Sequence, residues 1–117
     1  MDKLDIFADD ESHPIPFLEF LDVYAVNKGG GADLVVIIAT PLQSDERSQR
    51  RLLKKIENYL SYINSEEFLA EAGPPTVENT RIVVKMHPDS EPSINELLDH
   101  CVNWVIANNA TIIVKTF

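Results

Sequence analysis

Two groups of side chains have the types and spacing to act on another molecule. Arg47, Arg50, Arg51, Lys54 and Lys55 recur at i, i+3, i+4, i+7 and i+8, which aligns them on one face of a helix. A cationic stripe of this kind either contacts an acidic surface or is a solvated helix face, with Arg50 pairing to Glu46 or Glu57. His87, Asp89 and Glu91 share a loop after a strand, where α/β folds place sites. Pro88, Asp89, Ser90 and Pro92 are equally ordinary turn and cap residues, and no paired base, oxyanion donor or metal-ligand set accompanies them.

The other candidates reduce to structure. Lys28-Gly29-Gly30-Gly31 lacks the Lys-Ser/Thr pair that opens a helix in a phosphate loop, and a strand follows it, so it is a hairpin turn. His100 and Cys101 are neighbours, so on a helix they point about 100° apart and do not share a metal. His87 with Asp89 has no further ligands at a zinc spacing. Cys101, Tyr59 and Trp104 fall on apolar helical stripes and pack as core. The sequence therefore offers no catalytic residue, no metal site and no cofactor motif.

Charge narrows the partners. The chain of 117 residues carries 19 acids and 10 bases, a net charge of -9. Asp2, Asp5, Asp9, Asp10, Glu11, Glu19 and Asp22 crowd the first 22 residues, with Lys3 the only base among them. Seven minus one leaves six of the nine net negative charges there, so the molecule is electrostatically bipolar. This balance argues against a nucleic-acid partner, which needs clustered positive charge. No apolar run of about 18 residues is present to span a membrane. One cysteine forms no internal disulfide. The expected setting is a reducing cytoplasm.

The elements that hold these groups follow from periodicity. Residues 1–16 are acidic, contain Pro14 and Pro16, and read as a flexible arm that Leu4, Ile6 and Phe7 pin in part. The single α/β domain spans 17–117. Residues 21–26 alternate as a strand, 27–32 turn, and Leu34–Ala39 is the apolar β-branched run of a buried strand. Ser44 or Asp45 caps a helix that runs to about Ile63, with Leu52, Leu53, Ile56, Tyr59, Leu60 and Ile63 on its core side. Arg47 sits against the helix dipole there, a local cost that hints at use elsewhere. Glu66 to Ala72 adds a short helical segment that Gly73, Pro74 and Pro75 stop. Arg81–Met86 is a third strand. Pro92 opens a helix in which Ser93 and Glu96 match a capping box, Ile94, Leu97, Leu98, Cys101, Trp104 and Val105 form the apolar face, and Asn108 and Asn109 end it. Thr111–Val114 is the last strand.

The order β-β-α-β-α-β gives an α/β (α+β) two-layer sandwich. Its four-stranded sheet is mixed, and right-handed crossovers put both helices on one face. The other face is left to solvent, to the arm or to association, with Phe20, Tyr24 and Val26 expected on it.

Leu52-Leu53-Lys54-Lys55-Ile56-Glu57-Asn58-Tyr59-Leu60-Ser61-Tyr62-Ile63-Asn64-Ser65-Glu66 resembles the central helix of a family of small bacterial proteins known as a domain of unknown function. The family's Leu-Leu-x-Lys-Ile-x-x-Tyr-Leu motif follows a β-hairpin, and its later proline loop looks like Met86-His87-Pro88. Tyr62 stands where the family has phenylalanine, and the aspartate and tryptophan usual near the first helix are absent around Thr40 to Asp45. The resemblance covers roughly residues 20 to 116. It implies the fold and a bacterial cytosolic setting, and no activity.

The function expected is that of a small, acidic, non-enzymatic protein-interaction domain. In concrete form it is a bacterial immunity protein that binds and neutralises a toxin, since opposite charge steers association with a basic partner. The contact residues expected are Asp9, Asp10, Glu11, Asp22 and Asp33, or else Arg47, Arg50, Arg51 and Lys54 if an acidic partner, or the chain's own arm, takes the stripe. The alternatives are an enzyme or ligand-binding module with its site near His87, and a homodimer joined through the free sheet face or an edge strand.

Overall fold

A computed structural model describes residues 6–117; Leu4, Asp2 and Asp5 of the expected arm lie outside the described residues. The elements are β1 (Val23–Val26), β2 (Ala32–Ile38), α1 (Glu46–Ile63), α2 (Glu66–Ala72), β3 (Thr80–Met86), α3 (Pro92–Ile106) and β4 (Thr111–Thr116). The order is thus β-β-α-α-β-α-β, with the short segment after α1 a helix in its own right. One four-stranded sheet runs β1-β2-β3-β4. β1 is antiparallel to β2, while β2, β3 and β4 are parallel.

Local chemistry accounts for the boundaries. The Asp45 carboxylate accepts from the Ser48 N–H and caps α1, and Ser65 caps α2 in the same way through Phe68. The β1–β2 turn needs Gly31. Its φ is +77°, and a Cβ there would lie 2.0 Å from the Asn79 carbonyl oxygen, because this turn packs against the approach to β3. The capping box at Ser93 and Glu96 does not form. Pro92 already opens α3, so Ser93 is inside the helix, and the N-cap is Glu91 without a side-chain cap bond. Asn109, at φ 71°, ends the following turn.

The sheet sorts its residues by parity. Ala32, Leu34, Val36 and Ile38 of β2 and Ile82, Val84 and Met86 of β3 are buried. They share one cluster with Leu52, Ile56, Tyr59, Leu60 and Ile63 of α1, Phe68 of α2, and Ile94, Leu98, Cys101 and Val105 of α3. The opposite parity carries Asp33, Val35, Ile37, Arg81 and Lys85, all partly exposed, and Val83, which is buried. Tyr24 and Val26 pair with Leu34 and Ala32, so they share the parity of the buried cluster and not that of the free face. Tyr24 stacks with Phe68 and meets Tyr62 edge-on. The core also begins earlier than Phe17, because Ile15 and Leu18 are buried in it. Among the described residues, no helix is long and apolar enough to cross a membrane.

Candidate functional site

The cationic stripe of α1 divides in two. Arg50 and Lys54 lie toward solvent, with Arg50 Nε 3.2 Å from Glu46 and Lys54 Nζ 2.9 Å from Glu57. Arg51 and Lys55 do not face solvent; they are 0% and 1% exposed. What covers them is the segment 6–22. Arg51 donates through Nη1 to the carbonyls of Ile6 (2.8 Å) and Ala8 (2.6 Å), through Nε to Ile15 (3.0 Å), and through Nη2 to Ile15 and Pro16. Lys55 donates to the Phe17 and Phe20 carbonyls and to Asp22 Oδ1, 2.9 Å away. Asn58 adds the Leu18 carbonyl at 2.8 Å. Positions 51, 55 and 58 follow one helical face, so a single face of α1 grips the arm.

This grip answers a requirement of the backbone. A segment without regular structure brings carbonyls into the interior that no ladder satisfies, and each must find a donor. A guanidinium offers five N–H groups in a fixed fork, the densest donor set a side chain has.

The arm also closes on itself. The Asp10 N–H donates to the Pro16 carbonyl (2.9 Å) and the His13 N–H to the Asp10 carbonyl (3.0 Å). Asp10 accepts from the Ser12 N–H and hydroxyl, and its other oxygen is 2.7 Å from Arg47. The Ser12 hydrogen bond, then Arg47, holds the Asp10 carboxyl well below the usual carboxylate range. Arg47, ill-placed against the helix dipole, thus has its use on the arm. The result is a compact loop that carries Asp9 and Glu11 exposed on its outside.

His13 and Ser48 fasten the loop to the start of α1. The Ile15 N–H donates to His13 Nδ1 at 2.9 Å, so the neutral ring carries its proton on Nε2, and that nitrogen donates to Ser48 Oγ at 3.0 Å. The polarity is the reverse of a nucleophile–base pair, because the imidazole has no free lone pair toward the hydroxyl. Burial first, then Arg51 and Arg47, push the His13 pKa down, against Asp10 and Asp45.

The remaining expected contacts are engaged within the molecule. Asp22 accepts from Lys55 and from the Ile37 N–H at 2.9 Å. Asp33 forms a two-point pair with Arg81, at 3.0 and 2.7 Å, which holds its carboxyl below the usual range. Of Asp9, Asp10, Glu11, Asp22, Asp33, Arg47, Arg50, Arg51 and Lys54, the arm brings together Asp9, Asp10, Glu11, Arg47 and Arg51, while Asp33 sits apart on the sheet.

At the His87 loop, the Asp89 N–H donates to His87 Nδ1 at 3.0 Å. Ser90 Oγ accepts from the Leu42 N–H, and Glu91 accepts from the Ser44 hydroxyl at 2.6 Å. These side chains staple the β3–α3 loop to the β2–α1 loop. Cys101 is buried, donates to the Leu97 carbonyl, and has its thiol pKa raised by burial. Among the described residues no group of three His, Cys, Asp or Glu side chains could hold a metal ion.

Sequence reasoning missed His13, Ser48, Lys55 and Asn58 as parts of one assembly. The available signal was angular. At about 100° per residue, Lys55 falls about 40° from Tyr59 and shares the edge of the apolar arc with Ser48, whereas Arg50 lies on the far side. Comparison of the chain with protein-family models, curated proteins and solved structures returned no match.

Proposed function

We propose that this chain is a protein-interaction domain whose contact element is the acidic arm loop, and that it acts as an immunity protein that occupies a basic toxin in a bacterial cytoplasm. Its architecture on this reading is a two-layer sandwich, with the helices gathered over the even-numbered residues of β2 and β3. The resemblance of α1 to the bacterial helix motif agrees with that arrangement.

One observation carries the reading: the buried Arg51 is spent on main-chain carbonyls of the arm. Burying a cation without a buried carboxylate is unfavourable and adds little net stability. What it secures is one conformation for residues 6–16. A loop fixed in this way presents Asp9 and Glu11 without the entropy loss of ordering on contact, which strengthens binding. Exposed acids on a fixed loop also steer a basic partner.

The test is affinity capture with the full chain, first against the protein encoded beside it, followed by association rates at two salt concentrations. Asp9→Asn with Glu11→Gln is expected to slow association and flatten its salt dependence, while Arg50→Glu leaves it intact or slightly faster. The reading fails if no protein is captured and the pure chain turns over a small molecule in a His87-dependent way.

A further inference from the structure

A second surface, at the other edge of the sheet from β1, has its own chemistry. β4 is the edge of the sheet, paired to β3 alone among the described residues. The Phe117 N–H donates to the Met86 carbonyl at 3.1 Å. Main-chain groups alternate sides along a strand, so the odd-numbered residues of β4 bond to β3, and Ile112, Val114 and Thr116 turn their N–H and C=O groups to the open edge. The edge is six residues long, and its sequence, Thr-Ile-Ile-Val-Lys-Thr, has no proline and a single charge. The usual devices that blunt an edge are nearly absent.

Apolar surface flanks this edge. Val114 is 40% exposed, Phe117 55%, Val102 36% and Ile106 41%. Val102 and Ile106 belong to α3, which packs on β4. Trp104 lies toward α1, where it lines a hollow of about 240 Å³ with Leu53 and Lys54. Val102 and Ile106 project from the other flank of the buried arc of α3, away from α1 and toward the free edge.

We infer that the β4 edge is a self-association surface: two copies of this chain pair antiparallel along β4, with the two-fold axis at Val114, and continue the sheet from one copy to the other. In this register Val114 faces Val114, Ile112 faces Thr116, Ile113 faces Lys115 and Thr111 faces Phe117. Every opposed pair has the same parity, so each copy keeps its buried and free faces in line with the other's. The outward groups of residues 112, 114 and 116 meet as hydrogen-bonded pairs, about six bonds in all. Val102 and Ile106 of both copies flank the joined edge on the α3 side, and the two-fold makes the contact self-complementary.

Charge selects a second copy as the occupant. Copies with a net charge of -9 repel over most of their surface, whereas residues 110–117 contain no acid. Lys115, the one charge on the strand, faces Ile113 and not itself. The acid on that flank of α3 is Asp99, about one turn from Val102. A basic partner would find no anion on the strand, and an acidic one a single cation.

The test is sedimentation equilibrium of the full chain up to about 0.5 mM, a range that detects dissociation constants well into the micromolar. The expected mass is about twice 13.2 kDa. Val114→Pro removes an outward N–H that β3 does not use, as tolerated on an edge. It is expected to leave the circular dichroism unchanged, and the melting too at concentrations where the wild type is a monomer, and to weaken association at least about tenfold. Val102→Glu, outside the sheet, puts an acid on the apolar flank of the joined edge in both copies and is expected to do the same, which keeps the test decisive if the proline disturbs β4. A wild-type chain that stays at monomer mass throughout, or a folded Val102→Glu variant that associates as the wild type does, overturns the inference. Neither variant touches the arm, so binding through Asp9 and Glu11 stands or falls separately.

Discussion

The arm and the parallel strands are both packed, yet opposite forces hold them. β2 and β3 bury their even-numbered side chains in one cluster with residues of α1, α2 and α3 and satisfy their main chains through ladders. Residues 6–22 bury few side chains, Ile15 and Leu18 foremost, and hand many of their carbonyls to Arg51, Lys55 and Asn58. The strands owe their place to the hydrophobic effect, which has no direction and forgives small changes of shape. The arm owes its place to directed bonds from two buried cations, which tolerate no such change. A repeating ladder suits a core. A set of single bonds suits a loop that must hold one conformation on the surface.

Mutations separate the two regimes. Arg51→Ala leaves the carbonyls of Ile6, Ala8 and Ile15 without their donor, while Pro16 keeps the Asp10 N–H. A buried acceptor left unpaired costs about 1 to 3 kcal/mol. The expected loss is about 4 kcal/mol in urea unfolding, tempered where the arm detaches and rehydrates. Leu60→Ala, a cavity-forming change in α1, is expected to lose about 3 kcal/mol within the usual range of about 2 to 5. The difference should lie in where the damage falls: Arg51→Ala frees the arm and spares the strands, while Leu60→Ala lowers the stability of all elements together. If Arg51→Ala unfolds the whole chain in a single transition with the arm never detached, the two regions are one.

The pH dependence sharpens the contrast further. Burial and the neighbouring Arg51 and Arg47 lower the His13 pKa below 6.5 in the folded chain. The unfolded chain therefore takes up a proton first as pH falls. The contribution of His13 is full above pH 6.5 and is lost as pH drops from there through the lowered folded value. Protonated Nδ1 also stops accepting from the Ile15 N–H. Arm protection is expected to fall on acidification across this window before strand protection does, and His13→Gln should remove that step from a hydrogen-exchange pH series. The smallest effect belongs to Arg50, whose pair with Glu46 is exposed. Arg50→Ala should change stability by less than about 0.5 kcal/mol by thermal melting.

How far the sequence disclosed this follows from what periodicity encodes. The runs at Leu34–Ile38 and Ile82–Val84, the stripe from Leu52 to Ile63 and the cap at Asp45 were legible because spacing alone specifies them. The facing of β1 was not. Val23, Tyr24, Ala25 and Val26 are all apolar, so alternation says nothing about which parity turns inward. Ser93 misled because a capping box and a proline-opened helix compete for the same positions. The buried cations were hidden for a deeper reason: the partners of Arg51 and Lys55 are mostly main-chain carbonyls, which every residue has and no side-chain pattern marks. The misfit of Arg47 at the start of α1 was the one local sign that the stripe served the arm.

The central claim is that the guanidinium fork of Arg51 holds the arm. Arg51→Lys keeps the charge and most of the stem but loses the fork. Amide hydrogen exchange at Asp10, His13 and Ile15, read against Val83 and Val84 in β3, tests it most directly. The account predicts that the three arm amides of Arg51→Lys exchange at least about tenfold faster than in the wild type, a local loss of about 1.4 kcal/mol, with β3 unchanged. Arm amides that exchange at the wild-type rate in Arg51→Lys would contradict it.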